Sequence, residues 1–275
     1  MNGRLRLILA AVVVLVVLLA AGIGLPANQR DTGDLEGATS AAAAGDRSAG
    51  ATAASASRSR AREPGSSTRR APADAEARAG RWSAALLRPE VLRTAPDGRR
   101  VARVGRRTGY GSRRVFAVAE FRPGWVGVRA MQRPNGKLAW LPADAVRLRP
   151  VRTTLVADLS DRELTVSVDG KIRHRAPVGI GRPGSETPLG RYGVTDRLRA
   201  DGTSRVYGCC AIALTGRQTN PPPGWTGGTR LALHGTPSPD SVGREVSAGC
   251  LRMRDPDLRR LLLTVPLGAT LTVRR

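Results

Sequence analysis

The sequence predicts a mainly β protein with one short helix near its end, and three observations carry that expectation. Leu164-Thr165-Val166-Ser167-Val168 alternates apolar and polar side chains with the two-residue period of a half-buried strand, and Asp169-Gly170, directly after it, is a hairpin signal. From about Pro89 to Arg149, short apolar runs are separated by Pro96-Asp97-Gly98, Arg122-Pro123-Gly124 and Pro134-Asn135-Gly136, the spacing of a small all-β unit. Asp255-Pro256-Asp257-Leu258 reads as an N-cap with proline at the first helical position, ahead of Leu261-Leu262-Leu263.

The chain opens with a nearly unbroken apolar run, Leu7 to Pro26, after Arg4 and Arg6. About twenty apolar residues span the hydrocarbon core of a bilayer as a helix. The basic flank belongs in the cytoplasm, so everything after Ala27 is expected outside. Ala20, Ala21 and Gly22 leave a cleaved secretory signal open, whereas the length of the run favours an uncleaved anchor over residues 1–27. Residues 28–84 are rich in Ala, Gly, Ser and Arg and nearly free of large apolar side chains until Trp82. Such a stretch buries too little surface to offset chain entropy and is expected to be a disordered tether.

Folded sequence is expected to divide into a β unit over 85–149 and a second domain over 150–275. In the first, Trp125 to Val128 and Leu138 to Pro142 read as strands joined through Asn135-Gly136, and Phe116 and Phe121 read as core. In the second, Thr154 to Asp158, Leu164 to Val168 and Ile172 to Val178 read as strands, with His174 exposed on the third. Tyr192 to Thr195, Val206 to Leu214 and Arg230 to His234 follow as strands, and Pro221 to Trp225 reads as a rigid exposed loop, either lining the mouth of a site or a plain surface connection pinned by Trp225. The helix after Asp255 is stopped by Pro266 and Gly268, and Thr270 to Val273 closes a two-sheet domain.

The net charge of +23 over 275 residues rests almost wholly on arginine, since Lys137 and Lys171 are the only lysines. GC-rich codon usage and attraction to anionic wall polymers both account for such a bias. No recognition helix, zinc spacing or RNP-like aromatic strand accompanies it, so nucleic acid is not expected as a partner. Of the three cysteines, Cys209 and Cys210 read as neighbours in one strand, pointing to opposite faces and hence reduced. No spacing joins the cysteines and His174 into a ligand set, and no metal is expected.

The stretch from Leu231 to Met253 carries the chemistry. His234 stands sixteen positions before Cys250, near enough to meet it if a strand carries the first and a loop folds back with the second. A thiol near neutral pH is mostly protonated, and an imidazole beside it can take that proton and later return one to a leaving amine. Ser247, Ala248 and Gly249 are small enough for the main chain to turn tightly and aim amide N–H groups at a developing oxyanion. A buried cysteine behaving as a small hydrophobe beside a histidine that satisfies a core hydrogen bond is the plainer reading of the two residues alone.

The ordered set His234-Gly235-Thr236, Ser241 and Ser247-x-Gly249-Cys250-Leu251-Arg252-Met253, with Thr187-Pro188-Leu189-Gly190 upstream, closely resembles the signature of the L,D-transpeptidases with a YkuD-like catalytic domain, over about the last 125 residues. The resemblance implies that family's β-rich fold, Cys250 as nucleophile and His234 as base. It implies that Ser247 and Gly249 shape the loop, that the amides of Ala248, Gly249 and Cys250 form the oxyanion hole, and that Arg252 steadies the loop or meets a substrate carboxylate. Gly235 and Thr236 belong to the same motif. Ala248 stands where many members place a second histidine, so His234 is left as the base, oriented by a main-chain carbonyl near Gly235. The implied activity is cross-linking of third residues of peptidoglycan stem peptides through a thioester, without cofactor, and with carbapenems as false substrates. L,D-carboxypeptidase trimming and an inactive wall-binding protein are the alternatives. Residues 85–149 resemble a bacterial SH3-like barrel.

Overall fold

The computed structural model describes residues 81–199 and 206–275. The expected anchor over 1–27 and nearly all of the expected tether lie outside the described residues, among which no helix is long and apolar enough to cross a membrane. Folded structure begins earlier than the expected boundary at 85. Strand β1 (Trp82–Leu86) already pairs with β4 (Val115–Arg122) and β7 (Val146–Pro150), because Ser83, Ala84 and Leu86 are small or apolar side chains that the sheet can bury.

With β2 (Glu90–Arg93), β3 (Arg100–Val104), β5 (Trp125–Arg129) and β6 (Ala139–Pro142), these strands form one antiparallel sheet in the order β3-β2-β6-β5-β4-β1-β7. The hydrogen-bonded order is open, with β3 and β7 at its ends. Phe116, Phe121, Val126, Val128 and Leu141 are buried in its core, the role expected of the aromatics. Asn135-Gly136 does not join β5 and β6 as a two-residue hairpin. It sits inside the nine-residue connection 130–138, where Gly136 takes φ +78° and Lys137 N–H donates to the Pro134 carbonyl.

The second domain follows with β8 (Thr153–Asp158), β9 (Glu163–Val168) and β10 (Lys171–Pro177) as an antiparallel meander. Asp169 and Gly170 take φ +52° and +76°, the conformation that makes this dipeptide a hairpin turn. Then come β11 (Ile180–Gly181), β12 (Gly190–Arg199), β13 (Cys210–Arg217), β14 (Arg230–His234), β15 (Glu245–Ser247), β16 (Leu251–Arg252), helix α1 (Asp255–Thr264) and β17 (Thr270–Arg274).

The expected two sheets are present as two ladders, β10-β9-β8-β17-β12 and β12-β13-β14-β16, which share β12 and so run on as one eight-stranded order, beside the small pair β11-β15. Strand β12 is the reason. Its first residues, 190–193, pair with β17, and from Val194 onward it pairs with β13, with a register shift between Val194 and Asp196. A bulge there bends the strand, so one ladder serves two halves.

Three further expectations change. Helix α1 starts with Asp255 as its first residue rather than its cap: Arg254 is the cap, with no side-chain cap bond, and Pro256 lies in the first turn. His174 is half-buried, not exposed, because Asp257 of α1 comes within 3.3 Å of its Nε2. Strand β13 begins at Cys210 rather than Val206. Residues 206–209 form a turn with Gly208 at φ +56°, so Cys209 and Cys210 escape the strict alternation of a strand and are joined in a disulfide.

The two sheets of the described chain belong to one compact unit. Two glycines let their backbones approach. A Cβ on Gly193 would meet that of Ala117, and one on Gly268, at φ +79°, would meet Ser83, Val115 and the Phe116 carbonyl.

Candidate active site

Four segments converge on Cys250: the end of β14, the loop 247–250, the connection 181–190 and the start of β13. Strand β16 runs parallel to β14 with Leu251 opposite Leu233 and Arg252 opposite His234. In that register Cys250 directly precedes its strand, and its thiol lies along the edge of β14, at the Arg230 carbonyl and the Ala232 N–H, two positions before His234. Sequence spacing alone could not provide this; the parallel pair does.

Cys250 is the free cysteine of the described residues, and its Sγ lies 3.8 Å from the Arg230 carbonyl, to which the thiol donates. Burial pushes the thiol above its ordinary range, and a backbone hydrogen bond from Ala232 and the charge of Arg252 only partly offset that. His234 is 3% exposed, with Nδ1 2.6 Å from the Gly235 carbonyl. A carbonyl can only accept, so Nδ1 carries the proton and Nε2 is left with its lone pair. Burial drives the imidazole down to about 4, against the Gly235 bond that raises it, so the ring is neutral at physiological pH. The edge of Tyr207 packs on it at 5.0 Å between ring centroids.

The loop before the cysteine is held by its own side chains. Ser247 Oγ donates to the Cys250 carbonyl at 2.6 Å and accepts the Gly249 N–H at 3.0 Å. Gly249 takes φ +116°, a conformation that excludes larger residues. Its N–H is therefore occupied, which corrects its assignment to an oxyanion hole; the N–H groups of Ala248 and Cys250 are the ones without a backbone or side-chain acceptor among the described residues.

Gly235 donates its N–H to the Cys210 carbonyl and, lacking a Cβ, leaves room for Asp255, whose Oδ1 accepts the Thr236 N–H at 3.2 Å. Thr236 is buried, and its Oγ1 accepts the Ser238 N–H at 3.1 Å. Arg252 exchanges both backbone hydrogen bonds with Gly179 at 2.8 Å, while its Nε is buried without a partner. In the 187–190 turn, Thr187 Oγ1 accepts the Gly181 N–H, and the Tyr192 hydroxyl donates to the Pro188 and Leu189 carbonyls at 3.0 Å each. Burial pushes that phenol up to about 12, so it remains a donor.

Sequence reasoning missed two groups. Gln218 is buried, and its Nε2 donates to the carbonyls of Ser185, Glu186 and Ala248 at 2.9–3.1 Å, tying the cysteine loop to the 181–190 connection. A lone glutamine in a polar loop carries no signal of that role. Asp196, fully buried, holds Arg230 at 2.8 Å, directly on the strand that bears His234. Burial alone would raise its carboxyl, but hydrogen bonds from Thr108, Thr195, Arg230 and Ser112 outweigh it and hold the group below the ordinary range. A cleft of about 460 Å³ reaches Cys250. Gly227 and Gly228 line it, so the loop after Pro221 borders the site through its second half, with Trp225 45% exposed and not among the lining residues.

A buried neutral imidazole with an open Nε2, a free thiol on the adjoining strand and a cleft opening on that thiol together make an arrangement able to carry acyl transfer. Residues 152–273 match the family model described as the L,D-transpeptidase catalytic domain, YkuD. The putative L,D-transpeptidase YkuD of Bacillus subtilis strain 168 is 26% identical over 121 residues, covering 44% of this chain and 65% of that protein. The probable L,D-transpeptidase ErfK/SrfK of Escherichia coli K12 is 26% identical over 153 residues, 50% of this chain and 49% of the relative. An L,D-transpeptidase structure from Mycobacterium tuberculosis H37Rv aligns with a TM-score of 0.39 at 21% identity, over 50% of this chain and 72% of that one. The chain thus spans from about half to about two thirds of the length of these curated relatives. By that match, residues 152–273 are similar in sequence to the L,D-transpeptidase catalytic domain of the YkuD type, over somewhat less than half of the chain.

Proposed function

We propose that the protein is a peptidoglycan L,D-transpeptidase that links third residues of stem peptides through a thioester on Cys250. The observation that carries this reading is the His234 tautomer: with Nδ1–H bound to the Gly235 carbonyl, Nε2 is left as the free base, on the strand against whose edge the thiol is held. Rotation about the Cys250 Cα–Cβ bond takes Sγ from the Arg230 carbonyl towards the imidazole, which accepts the proton as sulfur attacks the carbonyl of the third stem residue. The amides of Ala248 and Cys250 donate to the oxyanion. Collapse of the tetrahedral adduct breaks the peptide bond, and D-alanine leaves with the proton from the imidazolium. The side-chain amine of a second stem's third residue then attacks the thioester, gives its proton to His234, and restores the thiol. Ser247, Gly249 and Gln218 hold the loop, and Gly235, Thr236 and Arg252 hold the histidine end.

The same reading places residues 150–275 outside the cell on a tether, supported by the apolar run from Leu7 to Pro26 behind Arg4 and Arg6. Intact-mass analysis of the full chain beside Cys250→Ala, after incubation with a carbapenem and separately with a tetrapeptide-bearing muropeptide, tests it. A single adduct on the parent chain, loss of D-alanine and muropeptide dimers are expected, and Cys250→Ala should lose all three. Tripeptide monomers without dimers would make the protein an L,D-carboxypeptidase. A folded, reduced parent chain that takes no adduct would overturn the role of Cys250.

A further inference from the structure

The cleft at Cys250 is not built by the catalytic domain alone. Tyr110 and Met131, from the amino-terminal β unit, line it together with Tyr207, Arg199, Arg217 and Arg230 of the catalytic domain, and no carboxylate does among the described residues. The amino-terminal residues are fastened there. Tyr110 is at the tip of a loop closed by the Thr108 N–H to Ser112 carbonyl bond at 2.9 Å, and the Thr108 hydroxyl donates to buried Asp196. Asp196 in turn holds Arg230, whose guanidinium stacks 5.2 Å from the Tyr110 ring centroid and whose carbonyl meets the Cys250 thiol. One chain of contacts therefore runs from the amino-terminal unit to the nucleophile, although Tyr110 itself remains 60% exposed.

Arg217 is fastened from the other side. The Asn135 amide brackets its backbone, donating to the carbonyl at 2.7 Å and accepting the N–H at 2.9 Å, and Arg217 Nε donates to the Met131 carbonyl at 3.1 Å. Its two terminal guanidinium nitrogens make no hydrogen bond or ion pair among the described residues. Arg230, by contrast, is already neutralised by Asp196. A guanidinium fixed through Nε, with its other donors unpaired in a cleft whose described lining holds no acid, is matched to a carboxylate.

We propose that Arg217 receives a carboxylate of the peptide substrate and that Tyr110 and Met131 wall the same subsite, so that the amino-terminal unit is part of the substrate site rather than only a wall-binding appendage. The inference rests on the transpeptidase reading above. Three carboxylates share the required chemistry: that of the terminal D-alanine, the free one of the second stem residue, and one on the third residue where this is diaminopimelate.

The test is calorimetric binding of synthetic stem tetrapeptides to the full-length Cys250→Ala chain, with the melting midpoint of each variant as the control for folding. The peptides are the diaminopimelate form, its C-terminal amide, its second-residue amide, and the lysine form. One replacement should weaken binding roughly ten- to hundredfold, the range for losing a charge-assisted bond, and so identify the carboxylate. Arg217→Gln should weaken the parent peptide by the same factor and erase the difference. Tyr110→Ala should weaken all four, and Tyr110→Phe should restore them. If no replacement weakens binding, or if Arg217→Gln keeps the discrimination, the proposal falls. Acylation of the Cys250-bearing chain by the same peptides separates the two readings. Acyl-enzyme without Arg217-dependent discrimination removes only the subsite, whereas carboxylate-dependent binding without acyl-enzyme removes only the transpeptidase.

Discussion

In the proposed mechanism His234 sets the chemistry through one short contact and its burial. An exposed imidazole titrates near 6.5, whereas here burial holds it at about 4. The base is therefore still neutral at pH 5, and carbapenem acylation followed against pH should show an acid limb near 4; a limb near 6.5 would contradict a buried neutral ring. The same shift links to stability. Between those values the unfolded chain binds a proton that the folded chain does not, so this group's contribution is complete above about pH 6.5 and lost on acidification through the window, at about 1.4 kcal/mol per pH unit and about 3 kcal/mol in total. Urea midpoints of the parent chain and His234→Gln, measured from pH 7 to 4, should converge if this is so. Gln218 acts at the same scale. Gln218→Leu leaves three carbonyls without their donor, and a loss of about 2–3 kcal/mol in stability with slower acylation is expected, read by thermal melting and stopped-flow mixing.

At the scale of elements, local chemistry in the chain was enough where partners are close in sequence. Asp169-Gly170 takes the left-handed pair of conformations its residues favour, and the strands on either side pair as their alternation requires. Where an element owes its shape to distant neighbours, the chain was less informative. Asn135-Gly136 carries the same signal as a tight hairpin, yet Asn135 is used to bracket Arg217, 82 positions away, and the connection is longer. The helix signal at Asp255 was right in type and shifted by one residue at its start, because the aspartate accepts from Thr236 instead of capping its own helix. Cys209 and Cys210 form a disulfide because the turn at Gly208 ends before the strand begins, a boundary that apolar Val206 concealed.

At the scale of the whole molecule, the two β units behave as one body in which the first helps to shape the site of the second. Gly268 is a sensitive point of that joint, since its left-handed backbone and its contact with Ser83 and Phe116 both exclude a side chain. Gly268→Ala should cost about 2–4 kcal/mol from backbone strain and displaced packing together. A melting curve would show the loss, and a midpoint unchanged within a degree would mean that the units do not meet as described. By itself the sequence determined the β class, the helix after the cysteine, the turn chemistry and the Cys250–His234 motif, because each of these depends on alternation, dihedral preference or residue type over short spans. Only the tertiary structure decided the parallel pairing that brings His234 beside Cys250, the Gln218 tie, the Asp196–Arg230 pair and the entry of Tyr110 and Met131 into the cleft. These join residues from 16 to 140 positions apart, and no local preference encodes which side chains meet when separate sheets are packed.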